Sequence, residues 1–211
     1  VVNEIGLFPL GIVLLPTEQV PLHIFEPRYR ELIGECISDD RQFGLVLADD
    51  EGMRSIGTRA TVVDVVDRFP DGRMNIVVEG GSRFRLVELT RGRSFQTAEV
   101  EEVDDQHDPG DPGDAERAIE LFEKLADLTG ADVDVPPADS EQLSFLIAAR
   151  FDFTPLLKQE LLQETSERIR LTRLCELLEK AAETIARQQE IAARAQTNGR
   201  VDADLLPEPG S

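Results

Sequence analysis

The sequence predicts an α+β protein, strand-rich over residues 1–103 and helical over 115–198. Three observations carry that prediction. Two runs rich in β-branched residues, IGTRATVVDVVDRF (56–69) and MNIVVEG (74–80), are joined by Pro70-Asp71-Gly72-Arg73, a strong hairpin signal. From residue 115 the apolar residues return at helical spacing. Between them lies DDQHDPGDPGD (104–114), with five Asp, repeated Pro-Gly and no apolar period. Composition of that kind reads as a solvated linker.

Taken in order, IGLFPLGIVLLP (5–16) is apolar but carries Pro9 and Gly11 and stops at Pro16, which predicts an edge or kinked strand. Pro21 opens a second extended stretch, and a helix is expected at about 27–38 with Pro27 in its first turn. FGLVLA (43–48) is a short buried-type strand. In SRFRLVEL (82–89) Phe84 and Leu86 share one face and Arg83 and Arg85 the other. Gly80 and Gly81 are expected to turn the chain before it. A further turn at 90–93 leads into SFQTAEVEEV (94–103). Short strands with Gly-containing turns indicate a mostly antiparallel sheet or small barrel.

In the second half, Ala118, Ile119, Phe122, Leu125 and Ala126 form one face of a helix. Pro136-Pro137 breaks the pattern. Asp139 is expected to cap the next helix, with Gln142 as its capping-box partner, and Pro155 opens another. The last helix is expected from about Thr165 to Thr197, roughly 50 Å at 1.5 Å per residue. Its stripe of Leu171, Leu174, Cys175, Leu178, Ala182 and Ile185 weakens beyond Ile185, so the far end either projects, frays or packs on another chain. Residues 199–211 are expected to be a flexible tail.

The charge narrows the partners. The net value is −20, with 11 basic against 18 acidic side chains in residues 1–103 and 11 against 19 in 115–211. No region is basic, which argues against nucleic acid and anionic membrane. Cys36 and Cys175 are far apart in helical apolar patterns, and with His23 and His107 the only histidines, a Cys/His zinc site is not expected. Buried thiols are the expected state, with a disulfide the less favoured alternative. A run of about 18 apolar residues is missing, as is a basic segment leading into a signal-like core, so a cytoplasmic location is expected. Val in place of Met at position 1 suggests that a few residues were trimmed.

Enzyme templates fail along the chain. There is no G-x-x-x-x-G-K-[ST] phosphate loop, no G-x-G-x-x-G and no G-x-S-x-G elbow. The three Asp at 108, 111 and 114 lack the alternate spacing and closing Glu of a calcium loop. A His23–Cys36 dyad is formally open, but Cys36 falls on the apolar helix face with Leu32 and Ile33.

VPLHIFEPRYREL (20–32) gathers the strongest candidate residues. In one account it is a capped helix start, with Glu26 near the N-cap, Tyr29 half-buried and Arg28 or Arg30 paired locally with Glu26 or Glu31. In the other it forms part of a concave surface for extended peptide. There Phe25 and Tyr29 are anchors, and His23, Glu26, Arg28 and Arg30 are polar contacts.

LFPLGIVLLPTEQVPLHIFEPRYREL, followed by PDGR, VEGGSRFRL and KQELLQETSERIRL in that order, resembles the N-terminal substrate-binding domain of the Lon protease family over roughly residues 5–185. The resemblance implies a PUA-like β pseudo-barrel followed by an α-helical bundle with a long C-terminal helix, and a role in holding protein substrates. PUA-like folds elsewhere bind RNA, which the acidity of residues 1–103 opposes. The family's AAA+ ATPase and Ser–Lys protease domain have no counterpart in these residues. Nor do the zinc-holding Cys pairs of a related ubiquitin-ligase receptor. The expectation is a non-catalytic module, adaptor or chaperone-like, without cofactor or metal. It would bind unfolded or extended polypeptide and partner an AAA+ protease or itself. Two alternatives stand beside it. One is an oligomeric assembly element using the last helix. The other is a small-molecule binder or enzyme with a pocket between sheet and helices.

Overall fold

In a computed structural model, the backbone is described for residues 3–198 and the side chains for residues 3–194. The tail expected at 199–211 lies outside the described residues. The strands are β1 (Asn3–Leu10), β2 (Gln19–Ile24), β3 (Phe43–Asp49), β4 (Gly52–Met53), β5 (Ile56–Arg68), β6 (Met74–Thr90) and β7 (Thr97–Val103). The helices are α1 (Pro27–Asp39), α2 (Pro112–Thr129), α3 (Leu143–Ala148), α4 (Pro155–Gln163) and α5 (Glu167–Asn198).

The strands close on themselves. β1 runs antiparallel to β7 through Asn3–Gly6, then parallel to β3 through Leu7–Leu10. Antiparallel pairings of β7 with β6, β6 with β5 and β5 with β3 complete the circuit. β2 lies off this path and pairs only with Met74–Glu79 of β6. The first strand is therefore no edge. It ends at Leu10, and Pro9 falls after the β7 pairing is over, so its missing amide removes no bond to β7.

β6 continues as one strand through Gly80 and Gly81, where a turn was expected. The reason is a close crossing. A Cβ on Gly80 would lie 2.1 Å from the Leu15 carbonyl oxygen. The Gly80 amide donates to the Glu18 carbonyl and the Thr17 amide to the Gly80 carbonyl, at 2.9 and 2.8 Å. Gly80 is there for backbone approach, and β6 stays paired with β5 on both sides of a bulge at Gly81-Ser82, Arg83 facing Thr58 and Gly80 facing Ala60. Besides that bulge, three further register shifts leave an extra residue in one strand, at Val63, Val66 and Val87. Each of these valines is about half exposed, because a bulged residue has no cross-strand partner to pack on.

Tyr29, Ile33, Phe43, Ile76 and Val78 belong to a core cluster inside the circuit, under α1. A second core joins Leu15, Leu47 and Ile56 of the strand region to Phe122, Phe145, Leu162, Leu174 and Leu178 of the helices. The stripe expected on the last helix is buried from Leu171 to Ala182, and Ile185 packs partly against it. That helix begins at Glu167, where the Ser166 hydroxyl accepts from the Ile169 amide at 3.1 Å.

The segment 104–114 is largely exposed but is tied down at several points. Its last residues open α2, with Asp111 accepting from the Gly113 amide at 2.8 Å. Asp108 accepts from Ser166 and Arg168. Asp105 accepts from both Arg83 and Arg170, two guanidiniums that are 2% and 0% exposed. Arg83 also donates to the carbonyls of Leu162 and Glu164 at 3.0 and 2.7 Å. The two arginines expected on one face of β6 thus differ in exposure, Arg83 being covered while Arg85 stays exposed beside Glu101. Asp139 does not cap α3. Gln142, in a left-handed conformation with φ 54°, takes the cap position without a side-chain bond.

Candidate functional site

The end of β2 and the tip of the β5–β6 hairpin place three rings side by side. Register aligns His23 with Asn75 and Asn75 with Asp67. Alternation then puts Phe25 and Phe69 on that same face. The Asn75 amide donates to Asp67 Oδ2 at 2.9 Å, which leaves Asn75 Oδ1 to accept from His23 Nδ1 at 2.6 Å. This network assigns the His23 proton to Nδ1 and leaves Nε2 open. The His23 ring stacks on Phe25 with centroids 5.9 Å apart and meets the edge of Phe69 at 6.3 Å. Phe25 is 58% exposed and Phe69 36%. Both rings thus leave apolar surface in solvent beside β2.

The hairpin tip is positioned from beneath. Arg30 donates to the Asp71 carbonyl, and its Nε is buried without a partner among the described residues. Gly72 has φ 87°, a left-handed conformation that favours glycine, and a Cβ there would also press on Arg30 Nη1 at 2.8 Å. The Arg73 amide and guanidinium hold the Asp71 carboxyl below its ordinary value, against a weaker opposite effect of burial. The Arg73 guanidinium also lies over the Phe69 ring, 5.4 Å from its centroid.

The six residues expected to contact peptide separate into two groups. His23 and Phe25 share the exposed shelf. Tyr29, expected as a second anchor, is turned inward against Phe8 with ring centroids 4.0 Å apart. Burial raises its phenol above the ordinary value, opposed by the neighbouring Arg28. Arg28 covers the Tyr29 ring at 4.5 Å and pairs with Glu26 at 2.8 Å, as in the capped-helix account. Glu26 is the N-cap residue but makes no side-chain cap bond. Arg30 supports the hairpin. Phe69 and Asn75 were missed by sequence reading. The signal available was a large aromatic next to a tight turn, two residues beyond Asp67.

No catalytic dyad forms at Cys36, which is buried while His23 is bonded to Asn75. Burial pushes both thiols up to about 11. Among the described residues no three His, Cys, Asp or Glu side chains are grouped to hold a metal ion, and no helix is long and apolar enough to cross a membrane. A separate cleft of about 580 Å³ lies between the 105–112 segment and the 138–143 loop.

A closed strand circuit with an added edge strand, followed by helices ending in a long one, is the fold of Lon N-terminal domains. The chain belongs to the family of the ATP-dependent protease La (LON) substrate-binding domain, whose family model matches residues 4–180. It is 27% identical to a Lon protease of Paraburkholderia phytofirmans over 210 residues, 90% of this chain and 25% of that protein. It is 26% identical to Lon protease 2 of Myxococcus xanthus, over 85% of this chain and 24% of that one. The chain thus spans about a quarter of the length of these relatives. Among solved structures, a Lon N-terminal domain protein from Xanthomonas campestris superposes with a TM-score of 0.65 at 27% identity, covering 82% of this chain and 96% of that one. The N-terminal domain of the Mycobacterium avium complex Lon protease superposes at 0.63 with 17% identity, over 84% of this chain and 98% of that one, a likeness of fold alone.

Proposed function

We propose that this chain is a non-catalytic protein-binding module that holds unfolded or extended polypeptide, adaptor or chaperone-like, in the cytoplasm. The observation that carries the reading is the exposed shelf of His23, Phe25 and Phe69 beside β2, an edge strand paired on one side only. Aromatic faces take side chains of many kinds at low entropy cost, and a strand edge takes backbone. His23 Nε2 supplies a polar contact between the rings. Glu26, Arg28, Tyr29 and Arg30 act by fixing the shelf. Membership of a substrate-binding family supports the same conclusion. The held polypeptide is passed to an AAA+ protease, whether on the same chain or as a partner.

The test is fluorescence anisotropy with a labelled, permanently unfolded protein such as reduced and carboxymethylated lactalbumin. The native chain should bind it, and Phe25→Ser and Phe69→Ser should each weaken binding by about tenfold, the value of one aromatic contact in a shallow site. Equal binding by both variants would remove the shelf from the proposal. No binding by the native chain would remove the function.

A second reading is favoured by the outer part of α5, where Ile191 is 61% exposed and the helix buries little beyond Ile185. In it the chain associates with itself through α5. A mass in light scattering that stays monomeric over a wide concentration range would dispose of this reading.

A further inference from the structure

We infer that the cleft between the 105–112 segment and the 138–143 loop is a second polypeptide subsite, one that takes a basic, aliphatic stretch. The cleft holds about 580 Å³, within the range of sites that enclose a ligand. Its walls are apolar and open, from Pro109, Pro112 and Ala138, over a floor of buried Leu143 and Leu171.

Its charge has one sign. Among the described residues no Lys or Arg lines it. Asp105, Asp108 and Glu167 at its base are already engaged by Arg83, Arg168 and Arg170. Glu116, Asp139 and Glu141 at the rim have no side-chain partner among the described residues. An apolar slot under unpaired carboxylates matches a side chain with an aliphatic stem and a cationic head, such as Lys or Arg. The aromatic shelf has no such charge selectivity. The inference rests on the reading of the chain as a polypeptide-binding module and adds a separate, charge-selective grip.

The experiment uses the 211-residue chain and labelled short peptides alternating Lys with Leu, or Glu with Leu. The Lys/Leu peptide should bind about tenfold more tightly than the Glu/Leu peptide, which only the shelf takes. Joint Glu116→Gln, Asp139→Asn and Glu141→Gln should remove that tenfold preference, as three exposed charge contacts of ordinary strength imply. Ala138→Trp, which fills the slot from an exposed wall, should abolish the preference.

A control with the same charge change at residues outside the cleft lining, Glu88→Gln, Glu99→Gln and Asp50→Asn, should bind as the native chain does. Equal weakening in the control would assign the attraction to the overall charge and overturn the inference. So would equal binding of the Glu/Leu peptide, or a self-association that Ala138→Trp abolishes, which would make a second copy the occupant. Phe25→Ser should weaken both peptides alike and leave the preference for Lys/Leu over Glu/Leu in place. Failure of the shelf is therefore distinguishable from failure of the cleft.

Discussion

Lys158 and Glu18, 140 residues apart in sequence, form an ion pair that is 8% and 7% exposed. It joins α4 to the loop between β1 and β2. The second carboxylate oxygen of Glu18 accepts from the Leu15 amide at 2.9 Å, in the same loop that crosses Gly80. One salt bridge thus fastens the helices to the place where β6 is crossed most closely.

Removing one partner leaves a buried charge uncompensated. Lys158→Met should destabilise the chain by about 3–5 kcal/mol in urea unfolding. Lys158→Met combined with Glu18→Gln should recover much of that loss. A double variant no more stable than Lys158→Met would show that the pair's geometry, and not the stranded charge, is what counts.

Acid should loosen the junction through Asp105. Burial raises the pKa of this carboxyl, but hydrogen bonds and charge from Arg170 and Arg83 outweigh it and hold the value below the ordinary one. A depressed folded value contributes stability above the unfolded pKa of about 3.9 and loses it as pH falls through the folded value. Asp105→Asn should therefore lower the urea midpoint at pH 7. Its deficit relative to the native chain should shrink below about pH 4. A deficit that stays constant with pH would place the stabilising charge elsewhere.

Gly80→Ala tests the crossing. Its Cβ would meet a backbone oxygen at 2.1 Å, which no rotamer change relieves. A loss at or above the usual overpacking range of about 1–3 kcal/mol is expected in thermal melts. At Gly81, a Cβ comes no nearer than 3.4 Å to its neighbours, and Ala should be tolerated far better. Similar losses at both positions would contradict the account of β6.

Both cysteines should be silent in the folded state. With each thiol pushed up to about 11, only about one molecule in a thousand carries a given thiolate at pH 8. Iodoacetamide followed by intact mass should show no fast labelling until guanidinium is added, and two labels afterwards. A fast-labelling thiol in the native chain would indicate that Cys36 or Cys175 is reached by solvent.

Several features were legible in the sequence because they are local. The hairpin at 70–73, the β-rich first half, the buried stripe from Leu171 to Ala182 and the Pro-led starts of α1 and α4 each follow from patterns within a few residues. The order of motifs also pointed to the Lon family. Gly80-Gly81 was misread because glycine for a turn and glycine for close approach look the same in one dimension. The anchoring of the 104–114 segment was not legible because composition records what Asp prefers in water, not that Arg83 and Arg170 would be buried beside Asp105.

By itself, then, the sequence determined the strand-rich and helical halves, the acidity that disfavours nucleic acid, and the family. Tertiary structure alone decided that β1 divides its pairing between β7 and β3 and so closes the circuit. It also decided that Phe69 stands beside His23 and Phe25 while Tyr29 is sealed against Phe8. The physical reason is range. Periodicity is set by neighbours a few residues apart, whereas exposure of a given side chain depends on which distant segment arrives to cover it.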